Sequence, residues 1–463
     1  MTPEEIKELR ERLLYTRKNV YEVLDAQGEE EMNAYAEGYK TYLDMCKTER
    51  ESVLSSIQMA EACDFKPYTF GQPVKAGDKF YYNNRDKELL LFVIGSESME
   101  NGIRIAASHI DSPRIDLKQH PVYEDGNMGF FKTHYYGGIK KYQWVATPLA
   151  IHGRIVRADG SFCDIVIGEE EGDPVFYIND LLPHLAKDQM SQSMGNGIPG
   201  EKLNILVGSK PLADGKDIKL ALLKLLNEKY DIVESDFISA ELSIVPAFKS
   251  RDIGFDRSMV GGYGHDDRVC AYPSLTAILA AEAPKHTLMV ILADKEETGS
   301  GGATGMKSSI FTDLIAQLSA TLGVNEYIVR HNSKCLSADV NAAYDPNFGE
   351  VYESRNTCYL NGGVVMTKFT GSGGKNGTND STAEFVGYVR KIFDDAKIVW
   401  QTGELGKVDQ GGGGTVAVYI AEKGIDVVDL GVPVISMHAP FEVISKADLF
   451  MTYKAFVAFN EAE

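Results

Sequence analysis

Basic residues are scarce in this sequence. Its 463 residues include 47 lysines and arginines against 67 aspartates and glutamates, which gives a formal net charge of −20. A protein whose main partner is a nucleic-acid backbone or an anionic membrane needs basic surface. The composition therefore argues against both partners, although part of the acidity can belong to a metal site rich in carboxylates.

Long apolar runs and clustered cysteines are also missing. No run approaches the roughly 20 apolar residues of a membrane span, and the N-terminal "MTPEEIKELRERLL" lacks the apolar core of a signal peptide. The six cysteines are at least 17 residues apart, so there is no C-x-x-C zinc or redox pattern. Scattered cysteines fit a reducing compartment, and we expect a cytoplasmic protein.

Helical signals are clear at several places along the chain. Residues 3–62 have helical patterns, and Thr2 with Glu5 forms a capping box in front of the first helix. Pro273 predicts the start of a helix or a kink within "VCAYPSLTAILAAEA". A second capping box, Ser381 with Glu384, predicts the start of a helix in "STAEFVGYVRKIF".

The order of strand and helix patterns divides the chain into two predicted domains. Short β-type runs with Gly/Asp turns fill the stretch from about 120 to 249. After 250, helices and strands alternate, which is typical of a sheet packed between helices. We predict an α/β fold in which a domain with a central mixed sheet, residues 1–120 and 250–463, is interrupted by a β-rich insertion, residues 121–249.

Histidines and carboxylates lie at the ends of several predicted strands. Ligands of open α/β sheets collect outside the carboxyl ends of the strands. Taken singly, each motif is more often a solvated turn, a helix N-cap or a core histidine, but together they indicate one pocket. The motifs are "SHIDSP" with His109 and Asp111, "GHDDR" with Asp266 and Asp267, "KEETGS" with Glu296 and Glu297, "CLSADV" with Asp339, and "VPVISMHAP" with His438.

Imidazole and carboxylate groups together are typical ligands of borderline divalent metals. Two histidines and three carboxylates are too few for two separate closed sites, but they hold two ions if one carboxylate bridges. Two ions lower the pKa of the water between them toward about 7, which makes it a nucleophile at neutral pH. Glu297 can then bind a metal while Glu296 acts as general base, and Asp111 can orient the imidazole of His109.

The order of these motifs resembles the aspartyl aminopeptidase and vacuolar aminopeptidase I family, family 18 of the metallopeptidases, from about residue 80 to the end. The resemblance implies an aminopeptidase that removes N-terminal amino acids from peptides with two divalent ions per chain, zinc first and cobalt or manganese as alternatives. It also implies a cis peptide bond after Asp266. The implied roles are His109 and Asp339 on one metal, Glu297 and His438 on the other, Asp266 as the bridge, Glu296 as general base, and Asp111 as the partner of His109.

The same resemblance implies an assembly. Family members use the β-rich insertion as a dimerisation domain, and their dimers form a tetrahedral dodecamer. The segment "DLLPHLAKDQ" is similar to a family segment whose histidine reaches the active site of a neighbouring subunit, and His184 occupies that place here. Some family members prefer acidic N-terminal residues, for which Lys375 in "TGSGGKNGTND" is a candidate partner, and others prefer neutral, apolar ones.

Two other functions stay open. A di-metal carboxypeptidase or deacylase would use the same ligands together with a basic clamp for the substrate carboxylate, such as Arg268 or Arg330. A catalytically silent oligomeric scaffold would keep the fold but lose the base or a metal ligand. All seven positions that the resemblance implies are intact in this sequence.

Overall fold

Helices make up the N-terminal segment and cover both faces of the largest sheet. The computed structural model describes residues 1–462. Among these residues, no helix is long and apolar enough to cross a membrane. The helices are α1 Pro3–Leu13, α2 Ala26–Met45, α3 Glu49–Glu61, α4 Lys187–Met190, α5 Met194–Gly197, α6 Ile218–Tyr230, α7 His265–Leu279, α8 Ile310–Leu322, α9 Glu326–Asn332, α10 Ala383–Asp395, α11 Ala417–Ala421 and α12 Lys446–Glu461.

Strands occur along most of the chain and are shortest at the sheet edges. They are β1 Lys66–Pro67, β2 Lys79–Asn84, β3 Glu88–Val93, β4 Arg104–His109, β5 Arg114–Asp125, β6 Met128–Tyr136, β7 Leu149–Val156, β8 Phe162–Ile167, β9 Tyr177–Ile178, β10 Ile205–Gly208, β11 Ala240–Pro246, β12 Arg251–Ile253, β13 Met259–Gly262, β14 Leu288–Ala293, β15 Lys334–Ala338, β16 Asn341–Ala342, β17 Val364–Thr367, β18 Trp400–Thr402, β19 Asp426–Gly431, β20 Pro433–Ile435 and β21 Glu442–Ser445.

The nine-stranded sheet has the order β1-β2-β3-β14-β4-β15-β19-β17-β18 and is mixed. The strands β3, β14 and β4 are buried along their whole length because both faces of the sheet are covered. Leu89 and Leu91 of β3 pack in the core with α7 and α12, whereas Leu90 and Phe92 pack in the opposite core with α8. The mixed α/β fold with helices on both faces, predicted from the alternation of patterns, is confirmed.

Four neighbouring strands, β14, β4, β15 and β19, run in parallel at the centre of this sheet. β14 and β15 both pair in parallel with β4, with Ala293 opposite His109 and Ser337 opposite Ala107. Their carboxyl ends therefore meet at one edge of the sheet. This edge is where the sequence places its histidine and carboxylate motifs.

Two smaller sheets complete the fold. The seven-stranded sheet, β8-β7-β11-β5-β6-β10-β9, is antiparallel and has its own core around Trp144. It draws on the chain from Arg114 to Pro246, starting before the predicted boundary at 121. The five-stranded sheet has the order β12-β13-β21-β20-β16.

The structure contains one of the two capping boxes that were predicted from the sequence. The Thr2–Glu5 capping box in front of α1 is confirmed. The N-cap of α10 is Thr382, whose side chain accepts from the Phe385 N–H. The predicted capping box at Ser381 is therefore wrong. Ser381 is buried, and its N–H donates to the Lys368 carbonyl oxygen.

Pro273 does not start a helix. It lies buried inside α7, and the backbone departs from helical geometry at Asp266 and Asp267 instead. Packing around this buried helix outweighs the local cost of the proline.

A buried charged group joins the seven-stranded sheet to the N-terminal helices. His152 of β7 has Nδ1 2.6 Å from Glu51 Oε1 and Nε2 3.0 Å from Glu169 Oε1. A neutral imidazole donates only one hydrogen bond, so two carboxylate partners favour the imidazolium. Burial alone lowers the pKa of His152, but the hydrogen bonds to Glu169 and Glu51 raise it above its usual value.

We expect His152 to make the stability of the protein depend on pH. Because its folded pKa lies above the unfolded value of about 6.5, its contribution is complete below about pH 6.5 and is lost as the pH rises through the folded pKa. The unfolding midpoint of wild type should exceed that of His152→Gln most at pH 6, and the difference should shrink toward pH 9. Glu169 stays paired in the variant, since Lys47 and Lys249 contact it at 2.6 and 3.2 Å. A difference that does not change with pH would contradict this assignment.

Candidate metal centre

The two carboxylate oxygens of Asp266 face two different histidines. Oδ1 lies 3.1 Å from His109 Nε2, and Oδ2 lies 3.1 Å from His438 Nε2. Asp339 Oδ1 is 3.8 Å from the same nitrogen of His109, and Glu297 Oε1 is 3.5 Å from that of His438. The five residues expected to bind metal therefore form two groups that share Asp266.

The fold brings these residues together at the edge where parallel strands end. His109 is the last residue of β4, Glu296 and Glu297 follow β14, and Asp339 follows β15. Asp266 lies at the beginning of α7, and its peptide bond to Asp267 is cis, as the family resemblance implied.

Both histidines are held by backbone carbonyl groups. His109 Nδ1 lies 2.9 Å from the Asp111 carbonyl oxygen, and His438 Nδ1 lies 2.9 Å from the Gly138 carbonyl oxygen. A carbonyl only accepts, so each Nδ1 carries a proton, and the Nε2 of each ring is the atom that would bind a metal. Fixing the tautomer through the second nitrogen is how proteins orient histidines that bind metals.

The Asp111 carboxylate holds the turn that carries the two adjacent glutamates. Its oxygens accept from the N–H groups of Glu296 and Glu297 at 3.1 and 3.2 Å and from the Tyr136 hydroxyl at 2.7 Å. The predicted contact with His109 is present but longer, with Nδ1 3.3 Å from Oδ1. Asp111 thus connects the first histidine to the glutamate turn.

Glu442 connects the other two ligand segments and was missed from the sequence. Its Oε1 accepts from the His438 N–H at 2.7 Å, and its Oε2 accepts from the Asp266 N–H at 3.1 Å. The side chain is buried, and burial raises the pKa of Glu442 to about 8. The available signal was its place at the end of "SMHAPFE", four residues after His438.

The seven-stranded sheet also contributes to the site, although the sequence showed few chemical groups in its strands. Tyr136 ends β6, and the chain continues as Gly137 and Gly138 over the ligands. A Cβ on Gly137 would lie 3.3 Å from the Glu297 side chain, and one on Gly138 would lie 3.2 Å from His438 Nδ1. Glycine permits this close approach.

The electrostatics of the site fit bound cations. Burial and the charges of Asp339 and Asp266 raise the pKa of Glu296 to about 8, and burial with Asp266 raises the pKa of Glu297 well above its usual range. Oδ1 of Asp266 and Oε1 of Glu297 are buried without a hydrogen bond of normal geometry in residues 1–462. Clustered, incompletely satisfied carboxylates beside two Nε2 atoms are a donor set that divalent metals take.

A cavity of about 480 Å³ opens from this cluster. Besides Asp266, Glu296, Glu297, Asp339 and His438, it is lined by two glycine-rich segments, 369–377 and 404–415. His184 lies elsewhere, exposed in the turn Pro183–Leu185. Within one described chain, the structure thus brings together the expected site residues apart from His184.

The two candidate clamps for a substrate carboxylate do not line the cavity. Arg268 is fully buried and donates to the Lys47 carbonyl oxygen at 3.0 Å. Arg330 on α9 pairs with Glu326 at 3.4 Å. The structure therefore gives neither arginine the place that a carboxypeptidase would need.

We expect Glu442 to act on metal binding through the two backbones it holds. In Glu442→Gln an amide nitrogen replaces one acceptor oxygen, so either Asp266 or His438 loses its backbone partner. The loss of such a supporting contact lowers metal affinity roughly 10- to 100-fold, which competition with a chromophoric chelator measures.

Asp448→Asn is the matched control. Asp448 is equally buried and accepts from the N–H groups of Asn361 and Gly363 at 2.8 and 2.7 Å. This variant should lower the unfolding temperature and leave metal affinity unchanged. Equal affinity losses in both variants, or none in Glu442→Gln, would remove the role assigned to Glu442.

Comparisons with known proteins find relatives over nearly the whole chain. The family model described as aminopeptidase I zinc metalloprotease (M18) matches residues 42–460. A Clostridium acetobutylicum protein named as an M18 family aminopeptidase 1 is 49% identical over 458 residues, which covers 96% of this chain and 98% of the relative.

Solved structures are similar over nearly the whole chain. An M18-family enzyme from Thermotoga maritima has a TM-score of 0.92 at 41% identity and covers 97% of this chain and 100% of its own. The S. cerevisiae mApe1 dodecamer has a TM-score of 0.75 at 22% identity, covering 92% of this chain and 96% of its own, and shows the same fold. With its ligand cluster and this extent of similarity, the chain belongs to the M18 family of zinc metallo-aminopeptidases.

Proposed function

We propose that this metallo-aminopeptidase removes N-terminal amino acids from peptides at a centre of two divalent metal ions, with zinc as the metal. The observation that carries the proposal is the position of Asp266, whose two oxygens each face a different histidine at 3.1 Å. A carboxylate in this position is suited to bridge two cations. Bound there, two divalent ions would polarise the substrate carbonyl and lower the pKa of water.

The ligands divide around Asp266. His109 and Asp339 would hold one ion, and Glu297 and His438 the other. If two divalent ions were bound, these three carboxylates would balance three of their four positive charges, and the ions would supply the charge that favours a developing negative charge on the substrate carbonyl oxygen.

Glu296 is the proposed general base. One of its carboxylate oxygens lies within 4.8 Å of a ring nitrogen of His109 and of a carboxylate oxygen of Asp339. His109 in turn lies beside Asp266, the residue that the two ligand groups share. Asp111 holds the N–H groups of Glu296 and Glu297, so the two side chains start from a fixed turn and face different groups. In this position Glu296 takes the proton of the attacking water and passes it to the nitrogen of the leaving amine.

The cavity favours an uncharged residue at the substrate N-terminus. Its wall includes Phe369, Leu405 and Val418. Lys375, the candidate partner for an acidic side chain, is 2.9 Å from Asp380 and lies over the Phe369 ring at 3.8 Å. We therefore propose that neutral, apolar N-terminal residues are preferred, and an assay with leucyl and aspartyl anilides tests this directly.

The two adjacent glutamates provide the test of the mechanism. Wild type should hydrolyse leucyl anilide but not its N-acetyl derivative, and chelation should abolish the activity. Glu296→Gln should keep its metal while kcat falls roughly 10²- to 10⁴-fold. Glu297→Gln should lose metal from one site, because it removes a ligand charge. Metal content by plasma mass spectrometry and kcat on the same preparations give both readouts.

Two results would refute this division of roles. One is equal loss of metal in Glu296→Gln and Glu297→Gln. The other is full activity of wild type after all metal has been removed. Glu326→Gln, on the distant helix α9, serves as a control for the change of glutamate to glutamine.

The proposal extends to the assembly of the protein. His184 lies among exposed apolar side chains, including Leu182, Leu185 and Met190, which are 49%, 68% and 77% exposed in the single chain. An exposed apolar group of this kind is typical of an interaction surface. We propose that residues 121–249 form a dimerisation domain, that dimers assemble into a tetrahedral dodecamer, and that His184 reaches the active site of a neighbouring subunit.

Mixing two inactive variants tests the role of His184. His184→Ala should retain metal and assembly but lose roughly 10²- to 10³-fold in kcat, as expected for loss of a donor to the developing oxyanion. Mixed with Glu296→Gln chains, it should regain some activity, because one composite site per mixed interface is intact. No recovery in mixtures shown to exchange subunits would leave His184 outside the active site.

A further inference from the structure

One hydrogen bond joins the wall of the substrate cavity to the central sheet. In β19, Val428 and Leu430 face the core with α12, so Asp429 between them points to the opposite face, where α11 packs. The side chain of Asp429 is buried, and its Oδ1 accepts from the Thr415 hydroxyl at 2.6 Å.

Burial of the Asp429 carboxylate at this position costs free energy of folding. The neighbouring residues Val416, Ala417 and Val427 belong to an apolar core. Burial raises the pKa of Asp429 to about 7. A buried polar group destabilises the fold unless its hydrogen bonds are made. The Thr415 hydroxyl supplies one such bond to Oδ1, and Ser337 on the neighbouring strand β15 also interacts with the carboxyl group.

Thr415 ends a glycine tract that fits tightly against its neighbours. A Cβ on Gly411 would overlap the Leu405 carbonyl oxygen, and a Cβ on Gly412 would overlap the Gly371 carbonyl oxygen. The Gly371 N–H also donates to the Gly413 carbonyl oxygen at 2.6 Å. The two glycine-rich segments that line the cavity are therefore packed directly against each other.

On its other side, Thr415 leads into α11. Its hydroxyl oxygen lies 3.4 Å from the Ala417 N–H at the start of that helix. Val418 and Tyr419 of α11 line the cavity, as Thr415 itself does. The position of Thr415 thus affects both the glycine-rich segments and the helical part of the wall.

We propose that Asp429 is a positioning residue that sets the size of the N-terminal side chain the enzyme accepts. Through Thr415 it fixes the wall opposite the metal ligands, and without this bond the two glycine-rich segments and α11 shift together. The inference rests on the proposed aminopeptidase function, because the cavity is taken to hold the first residue of the substrate.

The test compares leucyl and alanyl anilides as substrates. Thr415→Val keeps the shape of the side chain but removes the donor, and Asp429→Ala removes the acceptor. Each should raise KM for the leucyl substrate about tenfold, the effect of losing one buried hydrogen bond. The kcat and the metal content should stay within about twofold of wild type, and the leucyl-to-alanyl ratio of kcat/KM should change in both variants.

Conservative variants and a remote control separate positioning from stability. Thr415→Ser and Asp429→Asn keep a donor and an acceptor, so both should restore the wild-type ratio. Thr276→Val removes a hydrogen bond of similar length, between the Thr276 and Tyr35 hydroxyls at 2.7 Å in another layer, and should lower stability without changing the ratio. If Thr415→Val does not fold, Thr415→Ala replaces it in the same comparison.

Each outcome has a definite meaning. An unchanged ratio in Thr415→Val and Asp429→Ala, with wild type active, would overturn the inference alone. The inference would also be overturned if Thr276→Val changed the leucyl-to-alanyl ratio of kcat/KM as much as Thr415→Val does. A wild type that hydrolyses neither anilide would instead overturn the proposed function.

Discussion

Four acidic side chains lie within a few ångströms of one another at the edge of the central sheet, and this is the constraint on which the site depends. Asp266, Glu296, Glu297 and Asp339 would repel one another strongly in a place with little water. His109 and His438 together lie within 4 Å of three of these carboxylates and offset part of that charge. In our account divalent cations provide the remaining compensation, and the bridging position of Asp266 lets two of them share one set of ligands.

The rest of the structure serves to hold this set in place. Three parallel strands deliver ligands to one edge, and two buried carboxylates then connect the segments. Asp111 connects the end of β4 to the glutamate turn, and Glu442 connects the start of α7 to His438. The antiparallel sheet adds Tyr136 and the Gly138 carbonyl. Asp266, Glu297 and His438 are thus each held by a segment remote from them in sequence.

Features encoded locally could be predicted from the sequence. A buried strand followed by charged residues places Glu296 and Glu297 at a strand end, and the same reasoning applies to His109 and Asp339. The α/β class follows from the alternation of helical and strand patterns. These inferences need only the period of the apolar residues and the rule that ligands collect at the carboxyl ends of strands.

Contacts between distant segments could not be predicted in this way. The residues around Glu442 in the sequence do not indicate that its carboxylate accepts from the Asp266 N–H. In the same way, the sequence around Gly138 does not indicate that its carbonyl oxygen contacts His438 Nδ1. Arg268 was a candidate clamp for a substrate carboxylate because it follows Asp266 and Asp267 in the sequence. In the structure its side chain is buried and donates to the Lys47 carbonyl oxygen. In the sequence, Asp429 is a single acidic residue within a strand. The role that we propose for it depends on its position on the face of the sheet where α11 packs.

Anomalous diffraction from crystals grown with zinc tests the central claim most directly. Data collected on both sides of the zinc absorption edge locate each ion independently of the protein atoms. The account predicts two peaks per chain, one beside His109 and Asp339 and one beside Glu297 and His438, with Asp266 contacting both. A single peak, or peaks that do not share Asp266, would contradict it.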